Sequence, residues 1–176
     1  MARAARASAG GIAHDCQGMT DRELLELYTQ GPSVLEARVV GIPANVLESR
    51  PHYPEAWTIK EHVIHLADSE INNFIRLKSI IAQPGSVGFV INEMAWTSNI
   101  AHKREDVRKY LQLFRLVREI VVELVSDEIG SNQNFFLRTY MGETRPITMR
   151  EGLEVYARHV GFHSEYIDRI LQEKSR

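Results

Sequence analysis

Apolar side chains recur every three or four residues along four long stretches of this chain. Each repeat is the stripe that a helix buries against a neighbour. Between residues 58 and 82 the stripe is Ile59, Val63, Leu66, Phe74, Leu77 and Ile81, and Pro84-Gly85 closes it. Between 105 and 125 it is Val107, Leu111, Phe114, Val121 and Val125, with Tyr110, Leu113, Val117, Ile120 and Leu124 beside it as a broad buried face. Residues 149–173 carry Leu153, Tyr156, Val160, Ile167 and Ile170. A further helix is expected from 21 towards 40, broken or kinked at Gly31-Pro32 because proline lacks an N–H and crowds the preceding turn, and ended by Gly41-Ile42-Pro43.

Helix starts are marked locally. Thr20-Asp21-Arg22-Glu23, Thr58-Ile59-Lys60-Glu61 and Thr148-Met149-Arg150-Glu151 all read as capping boxes. In each, the threonine hydroxyl accepts from the third helical N–H while the glutamate reaches back to the threonine N–H. Two irregular stretches remain, 83–104 and 127–147. The second contains FFLRTYMGETRPI, a β-rich segment with Gly142 that suits a small hairpin. Four amphipathic segments with no strand pattern of comparable strength predict an all-α fold, a four-helix bundle with long crossover connections.

At 176 residues the chain has room for one domain. Residues 1–18, rich in Ala and Arg without an apolar centre, are expected to be a disordered tail, and residues 19–176 a single bundle. A net charge of -2 offers no surplus to hold a phosphate backbone, so neither nucleic acid nor an anionic membrane is an expected partner. No run approaches the ~20 consecutive apolar residues of a membrane helix, since VREIVVELV is broken by Arg118, Glu119 and Glu123. One cysteine, Cys16, excludes an internal disulfide, and its place in the tail argues against a catalytic thiol. A reducing, cytoplasmic setting is the expectation.

Chemistry concentrates on the histidines, of which there are seven. His159 and His163 lie four apart on the last helix, and helical phase turns both towards the core. On the second helix His65 stands beside Leu66 at the edge of the buried stripe, so a third imidazole can meet them from a facing helix. Three imidazoles with an open position form a zinc-type catalytic centre, and the competing reading is three hydrogen-bonded core histidines. His62 falls towards the polar side near the helix start, and a supporting or surface role is expected of it. His14, His52 and His102 fall in predicted loops or the tail. Arg118 lies on the buried stripe, where Glu70 is its expected ion-pair partner. Glu61 is accounted for by its capping box. Trp57 is expected to pack, Trp96 to pack or to wall the site, and Tyr156 and Tyr166 flank the last-helix histidines.

Trp57-Thr58-Ile59-Lys60-Glu61, His65-Leu66-Ala67-Asp68-Ser69-Glu70, Trp96, Arg118 and His159-x-x-x-His163, in that order, resemble the DinB/YfiT-like superfamily of metal-dependent enzymes. The resemblance spans about residues 20–171. It implies a four-helix bundle of unusual helix order, often dimeric, with His65, His159 and His163 as ligands to a divalent metal, zinc or nickel. It also implies thiol S-transferase or hydrolase-like chemistry on a small molecule, some relatives using a low-molecular-weight thiol such as bacillithiol, mycothiol or glutathione. The alternative is a bundle that binds a metal or ligand without turnover. The resemblance assigns no catalytic residue beyond the ligands.

Overall fold

The computed structural model describes residues 16, 18–52, 56–88, 91–100, 105–131, 135–140 and 143–174. Six helices and a hairpin follow in the order α1 (Asp21–Val39), α2 (Ala44–Leu47), α3 (Ile59–Ala82), α4 (Glu93–Asn99), α5 (Val107–Val125), β1 (Phe135–Tyr140), β2 (Glu143–Thr148) and α6 (Met149–Lys174). The four long helices are the four that periodicity predicts. All three capping boxes form: Thr20 with Glu23, Thr58 with Glu61, and Thr148 with Glu151.

The helices make a ring in which α1 lies beside α5 and α6, and α3 beside the same two, so α1 and α3 face each other diagonally. Two ion pairs, Arg150 with Asp21 and Arg38 with Asp168, join the starts and the ends of α1 and α6, which therefore run parallel. The apolar core falls into two halves. One holds Leu24 and Tyr28 of α1, Leu77 and Ile80 of α3, Val121 and Val125 of α5, and Met149, Leu153 and Tyr156 of α6. The other holds Leu35 and Val39, Ile59 to Ala67, Val107 to Phe114, and Val160 to Ile170. Helices α3 and α5 enter these halves in the opposite order from α1 and α6, which gives an up-down-down-up bundle. Parallel neighbours need a connection that returns along the bundle. This is why 83–106, which joins the parallel neighbours α3 and α5, is long, while α1 to α3 and α5 to α6 join antiparallel helices across the diagonal.

The expected break at Gly31-Pro32 does not occur, because α1 runs unbroken through Pro32. Proline removes the N–H that would bond the carbonyl of Tyr28, four residues earlier. That carbonyl accepts instead from Arg118 Nη1 at 2.6 Å. A Cβ on Gly31 would meet the same Nη1 at 2.1 Å, so the glycine is where the guanidinium passes close to the helix backbone. The α5 stripe is buried as predicted, whereas the flanking set is only half covered and Ile120 is exposed. The hairpin forms with Phe135 opposite Thr148 and Phe136 opposite Ile147, and Gly142 lies outside the described residues. Its first strand also bonds 85–88 through Leu137 N–H to Ser86 O at 2.8 Å. Cys16 packs into the first half of the core, ahead of the expected boundary at Met19, while residues 1–15 of the expected tail, with His14, lie outside the described residues, as does His102. No described helix is long and apolar enough to cross a membrane.

Candidate metal centre

Between the two core halves lies a polar belt, and the centre sits one to two turns beyond it. Arg118 and Glu70 are each 1% exposed and pair through Nε and Oε2 at 2.8 Å, as the sequence predicts. Tyr28 donates its hydroxyl to Glu70, and Asn73 Nδ2 donates to the same carboxylate at 2.9 Å. Arg118 also donates to the carbonyl of Tyr156 on α6, while the Tyr28 and Phe114 rings flank it at 4.2 and 4.6 Å. One arginine thus ties α1, α3, α5 and α6 together, just before the turn of α6 that carries His159.

The Thr58 capping box fixes where α3 begins, and with it the phase that turns His65 inward. Thr58 N–H donates to Glu61 Oε2 at 2.7 Å, and Glu61 Oε1 accepts from Arg50 at 2.7 Å. Glu61 is therefore a capping and pairing residue, as expected. From this start His65 projects towards α6, where His159 and His163 sit one turn apart. Their Nε2 atoms converge: His159 lies 3.2 Å from His65 and 2.9 Å from His163. One donor atom from each of the three residues falls within 4.8 Å of the others, and the three are the one such group among the described residues.

These separations test whether a metal fits. A tetrahedral ion with bonds of about 2.0–2.1 Å to nitrogen holds its ligands roughly 3.3–3.4 Å apart; the 3.2 Å pair matches this, the 2.9 Å pair would open slightly, and the third separation lies within 4.8 Å. Three Nε2 atoms facing one point cannot all be satisfied by one another, since a proton on one serves a single neighbour. Ser69 Oγ also reaches His65 Nε2, at 3.4 Å, but a cation would take all three lone pairs at once. Ligation also requires neutral imidazoles. Burial pushes His65 down to about 4. Burial, then the charge of His65, pushes His159 well below its usual value, and burial, then the charge of His159, does the same to His163. His65 and His163 are buried residues, and His159, half-buried as a whole, has its ring inside the cluster.

Aromatic rings wall the group. Trp57 lies parallel to His163 with centroids 5.9 Å apart and sits 4.8 Å from His65, so it packs on the centre itself. Tyr156 stands edge-on to His159 at 6.1 Å and accepts from Arg76 Nη1 at 2.8 Å through its hydroxyl. Trp96, on α4, lines a cleft with room for about one water together with His65, Asp68, Glu93 and Thr97. Of the two readings of Trp96, packing or walling the site, its place in this cleft fits the second. Tyr166 stacks on His62 rather than on His65, His159 or His163.

Of the two roles expected of His62, supporting or surface, the surface one does not hold. His62 is 5% exposed rather than on a polar surface, because the segment linking α1 to α3 brings Trp57 over the start of α3. Its Nδ1 lies 2.8 Å from Nδ1 of His163. The H-x-x-H spacing from His62 to His65 was the available signal. Glu93 had none, since only the folded connection brings it beside His65. Glu93 is an exposed residue; its carboxyl is raised by partial desolvation, which Arg138 and Arg76 oppose.

The sequence profile of the DinB superfamily matches residues 27–167, well over half of the chain. A Bacillus subtilis protein named "Putative metal-dependent hydrolase YfiT" is 24% identical over 147 residues, 83% of this chain and 81% of its own. A Halalkalibacterium halodurans protein likewise named a "Putative metal-dependent hydrolase" is 25% identical over 161 residues, 89% of this chain and 92% of its own. The solved structure of YfiT from Bacillus subtilis superposes with a TM-score of 0.78 at 22% identity, covering 90% of this chain and 91% of that one, and is described as having an unusual four-helix bundle topology.

Proposed function

The chain belongs to the DinB superfamily, and from that premise we propose that it is a divalent-metal-dependent enzyme acting on a small molecule, with His65, His159 and His163 as ligands. The observation that carries this reading is the convergence of three neutral imidazoles with no carboxylate or thiolate joining them among the described residues. A divalent ion there supplies a Lewis acid that makes water or a thiol nucleophilic at neutral pH. Zinc and nickel both suit such ligands.

Hydrolysis is the reaction this reading takes first, since it is what the names of the two relatives carry. Thiol S-transfer, implied by the family resemblance, would use the same open position for a thiolate. His65, His159 and His163 would hold the ion, with Trp57 packed on His65 and His163 and Trp96 lining the adjoining cleft. Glu93, an exposed residue that lines the same cleft as His65, is the group this proposal assigns to carry a proton. The reading takes the protein as a cytoplasmic homodimer.

Its test is turnover by zinc- or nickel-loaded protein on a panel of esters and amides, and on monochlorobimane with bacillithiol, mycothiol or glutathione. The proposal predicts metal-dependent turnover in one arm, abolished by His159→Ala with His163→Ala. Tight metal binding without turnover in any arm would favour a non-catalytic binding bundle.

A further inference from the structure

His62 is an imidazole that the ligand set does not use. It sits one turn before His65 on α3, is 5% exposed, and makes its close polar contact with a ligand, Nδ1 to Nδ1 of His163 at 2.8 Å. On its opposite side His163 points Nε2 into the centre, 2.9 Å from Nε2 of His159. The His62 ring is held in place by Tyr166, stacked at 5.6 Å and 24°, and by Trp57 at 5.4 Å.

The geometry points to His62 as a positioning residue that selects the ligating tautomer of His163. Two Nδ1 atoms at this distance share one proton. A His163 that offers the Nε2 lone pair to a metal must carry its proton on Nδ1, so His62 Nδ1 accepts and His62 keeps its own proton on Nε2. Without His62 the Nδ1–H of His163 would be a buried donor with no partner there, and the competing tautomer would place a proton where the metal belongs. Metal-bound histidines usually donate to a carboxylate, a carbonyl or water. An uncharged imidazole in that role orients the ligand without adding negative charge, so the charge of the ion stays uncancelled from this side.

This inference rests on the three-histidine reading, and its test separates the two. Zinc affinity is measured by competition with a chromophoric chelator for untagged wild type, His62→Gln and His62→Leu, and histidine tautomers are read by nitrogen-15 NMR. Glutamine can accept from Nδ1–H through its amide oxygen, whereas leucine keeps bulk without an acceptor. Expected are a loss of roughly 10–100-fold in affinity for His62→Leu at unchanged stoichiometry and helicity, and substantial recovery with glutamine. NMR should show His163 protonated on Nδ1 in the zinc-loaded wild type. Equal affinity in wild type and His62→Leu, or zinc bound through Nδ1 of His163, overturns the role of His62 while leaving the centre standing. A wild type that binds no zinc removes the centre and this inference together. Should His62→Leu fail to fold, the His163 tautomer of the metal-free wild type decides alone, with a proton on Nδ1 supporting and one on Nε2 contradicting.

Discussion

Arg118 is surrounded by Glu70, the Tyr28 and Tyr156 carbonyls and two aromatic rings. Removing one partner of such a pair leaves the other charge buried, which costs about 3–5 kcal/mol. Arg118→Leu should therefore lose about that much in urea denaturation, far more than the loss of an exposed pair such as Arg22 with Glu26. Gly31→Ala is a finer probe. Alanine favours helix by about 1 kcal/mol over glycine, yet its Cβ would meet a guanidinium pinned from several directions. The variant should be less stable than wild type, and a gain in stability would show that the arginine moves aside freely. For Glu93→Gln, turnover on an identified substrate should fall about a hundredfold with metal content unchanged. The pairing of Arg118 with Glu70 was legible because both fall on apolar stripes, whereas the role of Gly31 was not, since nothing local announces a neighbour from another helix.

The long helices were legible because caps and periodicity act within a turn or two of the residues that carry them. Thr58 with Glu61 sets the start of α3, and the α5 stripe of Val107, Leu111, Phe114, Val121 and Val125 is buried throughout. The one-turn α2 and the short α4 escaped, as did the continuity of α1 through Pro32, because tertiary partners decide these. His65, His159 and His163 were readable from helical phase together with family resemblance. A supporting role for His62 was readable but its burial was not, because phase alone cannot anticipate a loop residue such as Trp57 covering the outer side of α3. The α3 and α6 histidines also set a pH dependence. His62 and His65 fall from 6.5 to about 4 in the fold, with burial as the leading cause. Between those values the unfolded chain binds more protons, so stability is full above about pH 6.5 and drains away as pH falls towards 4. Urea midpoints of chelator-treated protein should drop between about pH 7.5 and about pH 5, and a constant midpoint across that window would contradict neutral, buried imidazoles.

In the whole bundle, α3 and α6 are brought together by diagonal connections and by the arginine that ties the four helices, so the centre is a product of topology rather than of any one segment. An ion that binds the folded chain and not the unfolded one stabilises it by about 2.7 kcal/mol at a hundred times its Kd. Zinc or nickel should therefore raise the Tm, and a chelator should lower it to that of the ligand variants. The central claim, that His65, His159 and His163 form a metal site, is met most directly by metal analysis of protein purified without a histidine tag, beside a His159→Ala, His163→Ala double variant that remains helical. The account predicts about one divalent ion per chain in the wild type and almost none in the variant. Equal metal in both would contradict it.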